Sequence, residues 1–262
     1  MYGRLGFSPA WSKDRMNSPA QAESSGSAAW FGTTQWTVVL SAREQDLPLA
    51  AQALETLCRT YWYPLYAYIR RRGYAAPEAQ DLTQEFLARL LASNGLATVD
   101  RRKGHFRSFL LGSLNHFLAN EWDRARAAKR GGRTEVLSLD EAAAEARYAI
   151  EPSTDLTPEN LYYQRWALTL LEQALHKLQS EFEAAGKSPQ FECLKEFLQC
   201  EESDRSYKEV GGELGLTPPA VASMVYRLRQ RYRELVREEI AHTVSSLGDL
   251  DEELRWLFRV LS

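Results

Sequence analysis

The chain has 262 residues, which is long enough for one large or two ordinary domains. Apolar residues make up 44% and charged residues 26%, which suits a globular protein and excludes the disordered, collagenous and membrane classes. With 32 basic and 35 acidic residues, the net charge of −3 gives by itself no sign of a polyanionic partner. No apolar run reaches the roughly 20 residues of a membrane helix, and no secretory pattern begins the chain, so we expect a cytoplasmic protein.

Helical periodicity dominates the chain after a serine-rich arm, and no sustained alternation indicates a sheet. We therefore predict an all-α fold with two small helical domains joined by an acidic linker, the second domain ending in a helix-turn-helix. The predicted parts are a flexible arm at 1–34, a first domain at 35–133, a linker at 134–160, a second domain at 161–241 and an acidic tail at 242–262.

Three stripes of apolar side chains at three- and four-residue steps predict the helices of the first domain. They comprise Leu54, Leu57, Tyr61, Leu65, Tyr68 and Ile69; Leu82, Phe86, Leu90 and Leu91; and Phe106, Leu110, Leu114, Phe117 and Leu118. Three such helices can bury one another's stripes in a small bundle. The linker that follows carries seven acidic residues and one basic residue, a net charge of −6.

Residues 206–218 predict two helices joined by a tight turn. Ser206 and Glu209 have the spacing of a capping box, which starts the first helix. Gly215 can adopt the positive φ that ends it, and we expect Leu216 to reach the core. Thr217 then caps a second helix whose first residue is Pro218, where the missing N–H does no harm. Helix, glycine turn and helix together are typical of a helix-turn-helix.

The helix that begins at Pro218 separates apolar and polar residues onto opposite sides. We expect Val221, Val225, Leu228, Tyr232 and Leu235 to face the core. Pro219, Ser223, Tyr226, Arg227 and Gln230 face the other way, with Arg227 and Arg231 along one edge and Arg229 and Arg233 along the other. Such a helix fits the major groove, with its polar strip over base edges and arginines at the phosphates. The candidate DNA contacts are Thr217, Pro219, Ala220, Ser223, Tyr226, Arg227, Gln230, Arg231 and Arg233. A solvated basic helix in an ordinary bundle is the competing interpretation.

Residues 101–133 form a second basic region, with nine basic and two acidic residues. Aromatic and histidine side chains are interleaved with the basic ones, which is typical of surfaces that hold single-stranded nucleic acid. Phe106, Phe109 and Phe117 are better explained as core, whereas Trp122 and the loop residues are better candidates for contact. The candidate residues are Arg101, Arg102, Lys103, His105, Arg107, His116, Asn120, Trp122, Arg124, Arg126, Lys129 and Arg130.

Three stretches, in this order along the chain, resemble the extracytoplasmic-function (ECF) sigma factors, the minimal class of the bacterial sigma-70 family. They are 79–90 (AQDLTQEFLARL), 104–111 (GHFRSFLL) with Asn120 and the basic run to Arg133, and 206–217 (SYKEVGGELGLT). The resemblance covers about residues 36–240, so the arm and the tail are additions to the family pattern.

The resemblance implies a two-domain initiation factor with no reaction, catalytic residue, cofactor or metal of its own. Residues 35–133 would be sigma region 2, which binds the polymerase and melts the minus 10 element through the second basic region. Its loop 94–104 would capture a flipped base, and the acidic linker would run through the polymerase interior. Residues 161–241 would be sigma region 4, which reads the minus 35 element. The implied polymerase-binding residues are Asp81, Gln84, Glu85 and Arg89.

The partners that the resemblance implies are core RNA polymerase, through its β′ clamp helices and β flap, and promoter DNA, with no membrane. An anti-sigma protein is the usual regulator in the family, and the tail is a second candidate for that role. We expect a helix in the tail to dock on one of the domains or to regulate access to DNA.

The main alternative function is a stand-alone helix-turn-helix regulator of duplex DNA, which would have no use for the second basic region. An enzyme is a third alternative, but the four histidines are scattered and no phosphate-binding or nucleophile motif occurs.

Overall fold

The computed structural model describes residues 47–92, 105–127, 141–149, 156–199, 205–244 and 247–261. Within these ranges the ordered elements are helices and no strand occurs, so the prediction of an all-α fold is confirmed for them. None of these helices is long and apolar enough to cross a membrane. The helices are α1 (Leu47–Arg71), α2 (Ala76–Ala92), α3 (Phe106–Ala127), α4 (Glu141–Ala149), α5 (Pro158–Ala184), α6 (Ser188–Leu194), α7 (Glu196–Gln199), α8 (Tyr207–Leu214), α9 (Pro218–Ala241) and α10 (Leu250–Leu261).

The described residues divide into two compact units. The first unit contains 47–169 and 241–260, and the second contains 170–240. Helix α5 therefore supplies residues to both units, and the chain returns to the first unit after α9. The sequence-based boundary at 160/161 falls near the start of this uninterrupted helix. The assignment of 35–133 and 161–241 to sigma regions 2 and 4 stays a prediction.

The apolar stripes predicted for the first three helices form the core of the first unit. Every member whose side chain is described is buried except Leu82, which is half-buried; Leu54 and Leu91 lie outside the described side chains. Tyr61 of α1 meets Phe106 of α3 edge to face, with ring centroids 5.4 Å apart. Phe86 of α2 meets Phe117 of α3 at 5.6 Å. Aromatic pairs at such distances and tilts stabilise a core beyond the area that they bury.

Part of the expected acidic linker is a helix that packs on the first unit. Helix α4 lies within 134–160, and Ala144 on it is buried. Glu145 accepts hydrogen bonds from Arg70 of α1, with Nη2 and Oε1 2.7 Å apart, and from the hydroxyl of Tyr66. One of the linker's seven acidic residues is thus already paired with an internal partner.

The core of the second unit is formed by one side of α9 and the helices around it. Val221, Val225, Leu228, Tyr232 and Leu235 are buried, which confirms the predicted apolar side of the helix. The Tyr232 hydroxyl donates to the carbonyl oxygen of Leu171 on α5 at 3.1 Å. Since both atoms are buried, this hydrogen bond satisfies two polar groups that water cannot reach.

The turn between α8 and α9 has the predicted caps. Ser206 and Glu209 form both hydrogen bonds of the capping box, and Gly215 ends α8 with φ of 66°. The prediction for Leu216 is wrong, because its side chain is 36% exposed. The backbone of Leu216 makes the contact instead: its N–H donates to the carbonyl oxygen of Gly211 at 2.8 Å. A Cβ at Gly211 would lie 2.6 Å from the Leu216 carbonyl oxygen, so this approach requires glycine.

Candidate nucleic-acid interface

The solvent side of α9 carries the polar strip that the sequence predicts. Pro219, Ser223, Tyr226, Arg227 and Gln230 are exposed. Tyr226, at 67% exposure, is the most exposed large hydrophobic residue among those that the structure describes. Because the opposite side of α9 is buried, the helix is fixed in rotation and its strip points outward as a set. Such a strip offers hydroxyl, amide, guanidinium and aromatic groups to base edges.

The arginines of α9 do not form two open edges as expected. Arg231 pairs with Glu181 of α5 at 2.6 Å and with Glu234 and Glu238 at 3.2 Å. The hydrogen bond to Glu181 raises the pKa of Arg231, and Arg231 in turn lowers the pKa of Glu181. The positive charge of Arg231 is therefore balanced inside the second unit.

Two further arginines of α9 also contact the protein. Arg229 donates from Nε to the carbonyl oxygen of Phe197 at 2.8 Å. Arg233 is half-buried. Arg227, by contrast, is exposed and makes no ion pair with another described residue. Of the four arginines, Arg227 is thus the best placed to meet DNA without first breaking an internal contact. The remaining candidates Thr217 and Ala220 are exposed and half-buried, respectively.

In the first unit, part of the predicted strand-binding set lies on the surface of α3. His116 and Asn120 are exposed and stand four residues apart, which places them on one side of the helix. Trp122 is 54% exposed. An indole held open to solvent at the end of a packed helix offers a flat apolar face on which a base can stack.

At the start of α3, two of the candidate residues contact the tail and are less open to solvent than His116, Asn120 and Trp122. Arg107 is 4% exposed and forms an ion pair with Glu253 of α10. The other carboxylate oxygen of Glu253 lies 3.3 Å from Nδ1 of His105. Burial lowers the pKa of Arg107 to about 10 and also lowers the pKa of His105. The expectation that a tail helix docks on one of the domains is confirmed by these contacts. In this arrangement Arg107 is not available to DNA.

The residues predicted to bind the polymerase lie on α2. Asp81 is exposed, and Gln84, Glu85 and Arg89 are half-buried. Arg89 forms an ion pair with Glu85 and a second with Glu121 of α3, where Nη1 and Oε1 are 2.6 Å apart. Its guanidinium also lies 5.1 Å from the centre of the Phe117 ring. Arg89 thus joins α2 to α3, and Asp81 is the member most open to a partner.

Comparison with known proteins bears on what these surfaces do. An ECF RNA polymerase sigma factor, SigE of Mycolicibacterium smegmatis, is 28% identical to this chain over 198 residues. The aligned region is 75% of this chain and 66% of that relative, slightly less than two thirds of its length. The resemblance to the ECF sigma factors is confirmed. No protein-family model and no solved structure matches the chain.

Some candidate residues of the sigma-factor pattern lie outside what the structure describes. These are Arg101, Arg102, Lys103, Lys129 and Arg130. Arg124 and Arg126 lie in α3, but their side chains are not described. Within the described ranges, no group of three or more His, Cys, Asp or Glu side chains is arranged to hold a metal ion.

The residues that the sigma-factor pattern did not point to are those of the tail. Glu253 is 1% exposed, and the ring of Trp256 lies 3.8 Å from the Arg107 guanidinium. A signal was present in the sequence: Leu250, Glu253, Leu254 and Leu257 share one side of a helix, and an acid among leucines predicts a buried cation opposite.

Proposed function

We propose that this chain is a sigma factor that binds core RNA polymerase and directs promoter-specific initiation of transcription. The observation that carries the proposal is the exposed polar strip of α9, presented after a glycine turn in a chain similar to an ECF sigma factor. In this proposal α9 reads the duplex of the minus 35 element, and the first unit holds the separated strand of the minus 10 element. The protein acts in the cytoplasm and catalyses no reaction of its own.

Reading of the minus 35 duplex is assigned to Ser223, Tyr226, Arg227 and Gln230. An α-helix fits the major groove, where an arginine can donate two hydrogen bonds to guanine and a glutamine can pair with adenine. The burial of Val221 and its neighbours supports this role, because a helix locked in rotation presents the same groups to every base step. Thr217, Pro219 and Ala220 begin the same helix, where the Thr217 hydroxyl and the Ala220 N–H can donate to phosphate, whereas Pro218 and Pro219 have no N–H.

Strand opening is assigned to the first unit. Extruding a base from the stack costs a few kcal/mol, which contacts to the extruded base and its backbone must offset. Trp122 can supply stacking, and His116 and Asn120 can supply hydrogen bonds on a neighbouring part of α3. The basic residues on either side of α3 supply charge for the phosphates.

Binding to the β′ clamp helices of the polymerase is assigned to α2, through Asp81, Gln84, Glu85 and Arg89. The Glu85–Arg89 pair is partly exposed, so its two groups can exchange partners with charged side chains of another helix at little cost. Contact between the second unit and the β flap belongs to the same proposal.

Run-off transcription with core polymerase and promoters selected from genomic fragments tests this function. We expect transcripts that require the chain and that disappear when the minus 35 element is scrambled. Specific binding to an upstream duplex without any dependent transcript would instead favour the stand-alone regulator. Absence of both from a well-folded preparation would contradict the proposal.

Arg227→Ala is expected to weaken binding to the minus 35 duplex by about 1–3 kcal/mol, since it removes a base-reading arginine. Fluorescence anisotropy with the selected and a scrambled duplex measures the change. Lys187→Ala is the matched control, because it removes one positive charge from an exposed turn of the same unit. Equal effects of the two substitutions, on both duplexes, would assign Arg227 to general electrostatics and not to base reading.

A further inference from the structure

Helix α10 places one carboxylate in the middle of its apolar side. Leu250, Leu254 and Leu257 are buried in the first unit, and Glu253 between them is 1% exposed. Ionised carboxylates are almost never buried in this way unless a cation accompanies them. The position of Glu253 therefore depends on what lies opposite.

The group opposite is a built cation site at the start of α3. Arg107 pairs with Glu253, and its guanidinium contacts two indoles, 3.8 Å from the ring centre of Trp256 and 4.9 Å from that of Trp166. Trp166 belongs to α5 and is wholly buried, whereas Trp256 belongs to α10. Arg107 and Trp166 thus belong to helices α3 and α5, whereas Glu253 and Trp256 are contributed by the tail helix α10.

Stability alone is a weak reason for such a pair. The cost of removing two charges from water commonly cancels their attraction, and a well-packed apolar pair would serve as well or better. Loss of one partner, however, leaves a buried charge without compensation. Arg107 therefore requires an anion whenever it is covered, but the anion need not be a carboxylate. A guanidinium binds phosphate with the same paired geometry.

The place of the site in the fold suggests which phosphate competes. Arg107 lies in the first turn of α3, and Trp122 lies farther along the same helix. Around the helix axis Trp122 is about 60° from Arg107, whereas His116 and Asn120 are on the far side. A strand that stacks on Trp122 and continues along that side of α3 would bring its backbone to Arg107. While α10 is docked, its Glu253 occupies that position.

We propose that α10 is an intramolecular competitor for single-stranded nucleic acid, and that a backbone phosphate reaches Arg107 only when α10 is displaced. The inference rests on the proposed function in one respect, the assignment of strand binding to the first unit. Tail docking and strand binding then oppose each other, so each weakens the other by the same factor.

The first test compares Glu253→Gln with Glu252→Gln in the full chain, using fluorescent oligothymidylate as the probe. The two substitutions remove the same charge from adjacent positions of α10, but Glu252 is exposed. We expect Glu253→Gln to bind about five- to tenfold more tightly than Glu252→Gln, because it leaves Arg107 uncompensated and so releases α10. The slope of log affinity against log salt should steepen by about 0.7, the contribution of one added phosphate contact to a single strand.

A double variant assigns the gain to the proposed site. Arg107→Met together with Glu253→Gln removes both charges and keeps the volume, so the affinity should return to that of Glu252→Gln. Trp256→Ala, which removes one face of the site but keeps the Arg107–Glu253 ion pair, should give a gain in the same direction. It serves as the test if Glu253→Gln does not fold.

Hydrogen exchange provides a readout that does not depend on promoter recognition. Saturating oligothymidylate should speed exchange of the α10 amides in the unaltered protein while α1 to α3 stay protected. Unchanged exchange of the α10 amides on addition of oligothymidylate would overturn the inference. It would also be overturned if exchange shows that Glu253→Gln releases α10 but this variant and Glu252→Gln bind oligothymidylate equally. Either result would leave promoter-dependent run-off transcription unaffected. Conversely, a chain that supports no run-off transcription would overturn the proposed function, but the oligothymidylate comparison would still be valid.

Discussion

Trp166→Ala is expected to destabilise the first unit by about 3–5 kcal/mol, the largest effect of any single substitution considered. The indole is wholly buried, and it contacts both the Arg107 guanidinium and the ring of Trp256, with ring centroids 5.8 Å apart. Truncation leaves a cavity and removes the fixed half of the site on which the tail docks. Chemical denaturation followed by circular dichroism, with hydrogen exchange to separate the two units, measures the loss.

Trp122→Ala is the matched control, since it makes the same chemical change at a position that is 54% exposed. We expect it to alter the free energy of unfolding by no more than about 0.5 kcal/mol. Its effect should fall on single-stranded DNA instead, at about 1–3 kcal/mol for the loss of one stacked base. A similar loss of stability from both substitutions would contradict the burial pattern of α3 and α5.

Gly211→Ala is expected to destabilise the second unit by about 1–3 kcal/mol. Its Cβ would stand 2.6 Å from the Leu216 carbonyl oxygen, and this oxygen belongs to backbone that cannot rotate away. The turn must then open, which moves α9 relative to α8 and should also weaken binding to the minus 35 duplex. Exchange of the α8 and α9 amides, measured together with duplex affinity, reports both effects.

The neighbouring glycine provides the control. A Cβ at Gly212 would meet nothing within 4 Å, and nothing in the structure explains why glycine is used there. Gly212→Ala should therefore stabilise α8 by up to about 1 kcal/mol, through helix propensity. If both substitutions stabilised the unit, the close approach at Leu216 would not be a constraint on the turn.

The parts of the fold that depend on local pattern could be predicted from the sequence. The buried side of α9 follows from its 3.6-residue period, and the capping box and Gly215 follow from the chemistry of helix ends. Leu216 shows where such reasoning stops. Its hydrophobic side chain suggested the core, but the tight approach at Gly211 uses its carbonyl group and leaves the side chain 36% exposed.

The partners of charged side chains could not be predicted, because they come from distant parts of the chain. Arg231 was expected at a phosphate, but Glu181 of α5 reaches it. Arg107 was expected at the DNA strand, but Glu253 of α10 covers it. A count of basic residues identifies a region of positive charge, and only the packing decides which of those charges remain available.

The division into units illustrates the same limit on a larger scale. Proline and acidic residues placed a boundary at 160/161, whereas Tyr162 and Trp166 are wholly buried in the first unit. The Tyr162 hydroxyl even donates to the carbonyl oxygen of Arg107 at 3.1 Å. Composition indicates where a chain becomes polar, but it does not show that helix α5, which begins there, contributes residues to both units.

The return of the chain to its first unit also has a consequence for synthesis on the ribosome. Arg107 is made before the whole second unit, and Glu253 is made after it. At roughly 5–20 residues per second, the nascent first unit exposes an uncompensated arginine for on the order of ten seconds. On the proposal that α10 competes with nucleic acid, the newly made protein binds nucleic acid most readily during that interval, and the competition begins when translation reaches the tail.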